Sequence, residues 1–260
     1  MPLTAHLREL RRRVAWSLVA VAVASAAAFW WYEHGLGELI RAPYCSLPPD
    51  LRYTDASGGC GLLVTDVFGG ALVRLKVSLV AGVVLSGPVW LGQLWGFLAP
   101  GLRRHERRWT AGFVLAASTL LAAGTTLAYL VLETGLRFLL TLAGADVVVA
   151  LTAQDYLRYV TTLLLAFSMA LQLPLLAVCL NLVGALSHRA MAGARHWIFF
   201  LSLVFAALAT PPDPMTMVVL ALPMCVLFEG AIQFARIVDR RRARRAAAAP
   251  LDEPSEPARP

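Results

Sequence analysis

Two carboxylates stand out against their surroundings. Glu9 lies in His6-Leu7-Arg8-Glu9-Leu10-Arg11-Arg12-Arg13, and Glu106 in Arg103-Arg104-His105-Glu106-Arg107-Arg108. One reading is local neutralisation. Glu9 can pair with Arg12 or Arg13 a helical turn on, and Glu106 with Arg103 a turn back, each pair adding a few tenths of a kcal/mol. The other reading is recognition. A carboxylate offers two coplanar acceptors that match the fork of a guanidinium, so these acids could receive an arginine-bearing ligand. Residue types alone leave both open. A second polar set sits in or beside apolar runs: Gln93, Gln172 two residues before Pro174, and Glu229 after Pro223. Polar groups at membrane depth are costly, so each is either a functional group or an interhelical hydrogen bond.

Enzyme chemistry has no footing here. His105-Glu106 is not followed by a histidine at zinc-protease spacing, because Trp109 stands there, and neither a nucleophile elbow nor a phosphate loop occurs. The five histidines are dispersed, and the four cysteines fit no metal pattern and are too few for a disulfide scaffold. No cofactor or metal is expected.

The elements that must position these groups are membrane helices. Of 260 residues, 58% are hydrophobic and only 15% charged, against about 25% charged in an ordinary soluble domain. Mean hydropathy is +0.66. Such a chain cannot be disordered, which requires low hydrophobicity, and lacks the polar groups to cover a soluble globule. A crossing takes about 20 apolar residues. Six runs qualify or approach it: 14–32, 73–97, 109–132, 159–183, 197–209 and 216–232. The last two are short, and Thr210-Pro211-Pro212-Asp213-Pro214 makes a tight hairpin between them. The expected fold is all-α, with bends at Pro88, Pro174 and Pro223.

Charge orients the spans. Of the 23 Lys and Arg residues, 17 fall in segments on the side of the N-terminus, and the other side holds Arg41, Arg52, Arg74, Lys76, Arg137 and Arg158. The positive-inside rule then puts both termini in the cytoplasm, in a multi-pass protein of the cytoplasmic membrane. Trp30, Trp31 and the tyrosines fall at the outer interface. The Arg-rich start and Ala24-Ser25-Ala26 imitate a signal peptide. The apolar run is longer than a usual signal core and contains that site, so an uncleaved first span is expected.

The first outer loop, 33–72, carries Cys45 and Cys60. In an oxidising compartment these form either a disulfide closing the loop or two free thiols. The second, 133–158, holds a short amphipathic stretch, 135–142, expected as a separate interfacial helix. The membrane domain is placed at 1–237, followed by a basic, Arg/Ala/Pro-rich, disordered tail at 238–260.

Several motifs in order resemble the TatC family, the multispanning receptor subunit of the twin-arginine protein translocase. They are His6-Leu7-x-Glu9-Leu10-Arg11-x-Arg13, Ser86-x-Pro88, Gln93-x-Trp95-x-Phe97-x-x-Pro100-Gly101-Leu102, His105-Glu106-Arg107, Thr210-Pro211-Pro212-Asp213, Pro223 and Leu227-Phe228-Glu229. The match covers about 3–237. The resemblance implies a six-helix concave cup that binds twin-arginine signal peptides of folded precursors and exports them on the proton-motive force. It implies that Glu9 and Glu106 hold the arginine pair, with Arg11 beside them and Phe97, Pro100 and Leu102 as apolar wall. It implies an oligomeric complex in the bilayer with TatA- and TatB-type single-span partners, and no nucleic acid.

Two departures stand out. In the fourth helix the family often shows Phe-Gly-x-x-Phe-Glu/Gln-x-Pro, whereas this chain reads Phe167-Ser168-Met169-Ala170-Leu171-Gln172-Leu173-Pro174. Gln172 keeps a polar group facing the cavity but cannot carry charge. After Asp213 the family often has a Ser/Thr-Gln pair, and here stands Thr216-Met217. Gln172, Thr210, Asp213 and Glu229 are the expected polar docking positions for partners. The short fifth and sixth helices would require a thinned bilayer or supporting partners, since thirteen residues reach only about 20 Å at 1.5 Å per residue. The alternative function is a small-molecule transporter or channel, which requires a polar path lined by several intramembrane charges.

Overall fold

The computed structural model describes residues 3–49, 52, 60–98, 107–142, 151–210 and 213–247. Among them the regular structure is helical, with one isolated bridge between Leu63 and Thr152. Helix α1 (Leu3–Trp31) runs into a 3-10 turn (Tyr32–His34), and Gly35, at φ 132°, redirects the chain into α2 (Leu36–Cys45). Then follow α3 (Gly69–Leu85), α4 (Gly87–Leu98), α5 (Arg107–Leu142), α6 (Ala153–Ala170), α7 (Gln172–Val183), α8 (His188–Gly193), α9 (Arg195–Ala209) and α10 (Pro214–Ala247).

Among the described residues, four helical segments are long and apolar enough to cross a bilayer: Leu7–His34, Ala111–Leu142, Ala153–Val183 and Pro214–Arg244. The pair Gly69–Leu85 and Gly87–Phe97 passes the same test only when taken together, with a bend of 54° between its halves, as in a broken span or a re-entrant loop. Helix α9, Arg195–Ala209, is apolar but has only 15 residues, about 22 Å of rise. The chain is therefore an all-helical, multi-pass membrane protein.

The breaks have local causes. Pro88 has no N–H to continue the helical ladder. Ser86 closes α3 instead, its hydroxyl donating to the Gly82 carbonyl at 2.7 Å, and the Trp90 indole N–H takes the Val83 carbonyl at 2.9 Å. Pro174 likewise withholds a donor, and α6 gives way to α7 at Leu171.

Three expectations need correction. The stretch 135–142 is not a separate helix but the end of α5, because Leu132, Leu136 and Leu140 continue one buried stripe at helical spacing. The first outer loop is not all loop, since α2 forms within it and buries Leu36 and Tyr44. The sixth helix is not short. Helix α10 has 34 residues and passes the boundary drawn at 237, because no helix breaker follows Ile232 until Pro250 and because its end is tied to α7 and α8.

The main core gathers Ala128, Leu132 and Leu136 of α5, Tyr156, Leu163 and Phe167 of α6, Ala206 of α9, and Leu220 and Met224 of α10. Helices α5 and α6 approach closely at Gly124, where a Cβ would lie 2.7 Å from the Phe167 carbonyl oxygen. A second cluster joins Leu91 and Trp95 of α4 to Ala117 and Leu121 of α5 and Cys179 of α7. A third fixes α1 and α2 to α3 and α6 through Ala28, Leu36, Val77 and Leu157. These contacts sort the polar groups onto two ends. Glu9 and the end of α4 share one with the ends of α7 and α10, and Trp31, Arg74, Cys45 and Asp213 lie at the other.

Candidate functional site

Glu9 and Arg13 are one turn apart on α1. Arg13 Nε donates to Glu9 Oε1 at 2.7 Å, and Arg13 Nη1 donates to the Gln93 carbonyl on α4 at 3.2 Å. Of the two partners open to Glu9 in the sequence, the structure selects Arg13. The side chains remain accessible, Glu9 at 44% and Arg13 at 26%. Gly96 leaves the space for the guanidinium, which lies where its Cβ would be. Gln93 and Gly96 belong to the last turns of α4, whose final carbonyls lack helical partners and favour a cation. Arg13 thus joins two motifs separated by 80 residues, a contact that no spacing rule could reveal.

Around this junction, Arg8, Arg11 and Arg12 are exposed. Phe97 is half-buried, and Trp95 is buried against Phe113, ring centres 5.6 Å apart. Glu106, Pro100 and Leu102 lie outside the described residues. Glu106 immediately precedes α5, and α4 and α5 pack together through Leu91, Trp95, Ala117 and Leu121.

The polar residues at membrane depth are mostly engaged. Gln172 Nε2 donates to the Ala117 carbonyl of α5 at 3.0 Å, while its buried Oε1 has no hydrogen-bond partner among the described residues. Its amide N–H therefore turns to α5 rather than into open space. One turn earlier the Ser168 and Thr125 hydroxyls meet at 2.9 Å. Glu229 pairs with Arg195 of α9 and accepts from Gln233 at 3.0 Å. Beside it, α5, α7 and α10 enclose a groove of 610 Å³ lined by Phe113, Leu120, Pro174, Val178, Leu227 and Phe234.

At the opposite end Asp213, only 2% exposed, caps α10. Its carboxylate accepts the N–H groups of Met215 at 3.0 Å and Thr216 at 3.2 Å. Thr210 is buried and donates to the Ala206 carbonyl at 2.8 Å. Both are thus satisfied within the chain. Cys45 and Cys60 are disulfide-bonded, Cα atoms 5.7 Å apart, and Arg52 inside the closed loop donates to the Cys45 carbonyl at 2.9 Å. Cys179 and Cys225 are free thiols.

A group missed in the sequence lies near the end of α10. Asp239 accepts the His188 backbone N–H at 2.8 Å and the Asn181 amide at 3.2 Å, and Arg242 donates to the Asn181 carbonyl at 3.1 Å and to that of Leu182. A lone acid ahead of an arginine run was the available signal.

Comparison with known proteins agrees with this architecture. The family model described as Sec-independent protein translocase protein (TatC) matches residues 5–223. A Sec-independent protein translocase protein TatC of Frankia casuarinae is 44% identical over 254 residues, which cover 96% of this chain and 70% of the relative. One of Corynebacterium kroppenstedtii is 41% identical over 94% of this chain and 63% of its own length. One of Xylanimonas cellulosilytica is 38% identical over 96% and 88%. This chain thus spans about two thirds of the first two relatives. The crystal structure of the twin-arginine translocase receptor TatC in DDM superposes with a TM-score of 0.73 at 28% identity, covering 88% of this chain and 99% of that one. With its motifs, its helical order and these relatives in agreement, the chain belongs to the TatC family of Sec-independent protein translocase proteins, a transport family and not an enzyme family.

Proposed function

We propose that this chain is the signal-peptide receptor of a twin-arginine translocation system. It has six spans, α9 being the short fifth, and both termini are cytoplasmic. The end that carries Glu9 also carries Arg8, Arg11, Arg12, Arg189, Arg195 and the arginines of α10, which supports that orientation. Glu9 and Glu106 hold the two arginines of a precursor's leader at this face, with Arg11, Phe97, Pro100 and Leu102 beside them. TatA- and TatB-type helices assemble on the membrane faces, α9 and α10 among them, near Gln172, Thr210, Asp213 and Glu229, and transport draws on the proton-motive force.

The observation that carries the reading is the accessible carboxylate of Glu9 amid cations, anchored beside the end of α4. A hydrogen bond to a charged group contributes about 1.5–3 kcal/mol when desolvated and an exposed pair about 0–1 kcal/mol, so micromolar recognition, about −8 kcal/mol, draws on apolar contact from the rest of the leader as well. The apolar lining of the groove beside Glu229 does not favour a transporter for small polar solutes. The test is export of a folded twin-arginine reporter in cells whose own translocase is deleted. Glu9→Ala and Glu106→Ala each abolish export while the chain still inserts, and normal export in both variants rejects the proposal.

A further inference from the structure

We propose that the groove between α5, α7 and α10 holds one acyl chain of an anionic phospholipid, with the lipid phosphate on Arg241. This site is independent of the receptor reading. The groove measures 610 Å³, and none of its lining side chains is polar. Gly112 of α5 and Gly230 of α10 both line it, both are exposed, and a Cβ built on either meets no atom within 4 Å. Phe113, Pro174, Val178 and Phe234 complete the walls. The hollow therefore exists because two side chains are missing where nothing else comes near. At Gly124, by contrast, the missing side chain lets two helices touch.

The extent of the groove selects its occupant. Along α5 the lining runs from Gly112 to Leu120, and along α10 from Val226 to Phe234, each about 12 Å at 1.5 Å per residue. The hydrocarbon core is roughly 30 Å thick, so the groove belongs to one leaflet, on the side of the α10 arginines. A partner helix crosses both leaflets and packs along its length, whereas a lipid tail occupies one.

Charge selects the headgroup. Arg241 stands seven residues beyond Phe234, about 10 Å along the helix, and Gly230, Phe234 and Arg241 share one face of α10 at steps of four and seven. Side chains lean toward the N-terminus of their helix, here Pro214 at the far end, so Arg241 leans back toward the groove. It is exposed and has no hydrogen-bond or ion-pair partner among the described residues. Arg242 is committed to the Asn181 and Leu182 carbonyls. The acids of α10 do not oppose an anion, because Glu229 pairs with Arg195 and Asp239 accepts from His188 and Asn181. A guanidinium left free in this position matches the paired oxygens of a phosphate.

The test uses the full chain in detergent, mixed with equal amounts of phosphatidylglycerol and phosphatidylcholine of identical acyl chains, with bound lipid read by native mass spectrometry. The unaltered chain is expected to retain one lipid and to favour phosphatidylglycerol about fivefold, which corresponds to ~1 kcal/mol for a basic residue at an anionic surface. Arg241→Gln is expected to keep a bound lipid and lose the preference. Arg240→Gln, about 100° away around the helix, is expected to keep both. Gly230→Leu fills the groove and is expected to lose the lipid, and Gly112→Leu does so from α5 if the first variant does not fold. Equal retention of the two lipids by the unaltered chain, equal effects of Arg240→Gln and Arg241→Gln, or full lipid retention in the folded glycine variants overturns the proposal. So does a co-expressed single-span partner that leaves Gly230→Leu while phosphatidylglycerol stays bound, because the groove then belongs to that helix.

Discussion

Asp239, near the end of α10, reaches the backbone N–H of His188 at 2.8 Å and so caps the first turn of α8 from another helix. The same carboxylate accepts from Asn181, a fully buried side chain whose amide also donates to the Leu186 carbonyl at 2.8 Å. Arg242 completes the junction on the last carbonyls of α7, where a cation is favoured. Helix α10 therefore does not end at the membrane but clasps the α7–α8 connection. Asp239→Ala strips a donor pair of its acceptor and is expected to destabilise the chain by about 1–3 kcal/mol. Thermal unfolding in detergent, followed by size-exclusion profile, measures it.

Gly124 sets the spacing of α5 and α6. A methyl there would lie 2.7 Å from the Phe167 carbonyl oxygen and 2.9 Å from Ser168 Cα, both backbone atoms that cannot rotate aside. Gly124→Ala is expected to push the helices apart, break the Thr125–Ser168 contact and cost about 1–3 kcal/mol. The same unfolding assay reports it, and a melting temperature equal to that of the unaltered chain would show that the helices yield freely.

The Cys45–Cys60 bond closes a segment of sequence separation 15, for which the chain-entropy account assigns about 3 kcal/mol. Reductant is expected to lower the melting temperature of the unaltered chain. The Cys45→Ser/Cys60→Ser double variant should melt at that lower temperature with or without reductant. Mass spectrometry after alkylation without reductant checks the bond itself, and labelling of both cysteines would refute it.

Gln172→Met removes one hydrogen bond, to the Ala117 carbonyl, but also removes a buried oxygen that has no partner among the described residues. The two effects oppose each other, so stability is expected to change by less than about 1 kcal/mol. Export of a twin-arginine reporter by this stable variant then isolates the proposed docking role. Full export would remove Gln172 from the docking positions.

Much of this was legible because it depends on near neighbours. Pro88 and Pro174 announce their breaks by lacking an N–H, and apolar runs announce spans. Glu9 marked itself by contrast with its surroundings, although the choice between Arg12 and Arg13 required the position of α4. Segment ends were less legible. Glu133, Thr134, Gly135 and Arg137 resemble a loop in composition, yet the Leu132, Leu136 and Leu140 stripe keeps α5 intact. The stretch after Ile237 reads by composition as a disordered tail, because an Arg/Ala run satisfies both a disordered segment and a good helix former. Only the clasp on Asn181 and His188, formed with residues more than 50 positions away, decides between them. Long-range acceptors such as the Gln93 carbonyl leave no trace in residue type.

The elbow between α3 and α4 has a mechanical consequence. Its freed Val83 carbonyl is occupied by the Trp90 indole, which sits on the far arm, and Ser86 ties the near arm to itself. A joint stitched from both sides behaves as a bracket and not as a hinge. Arg13 holds the tip of α4, and Arg74 holds the base of α3 to the Phe29 carbonyl of α1 and to Glu33 in the turn that follows, so the angled piece is anchored at both of its ends.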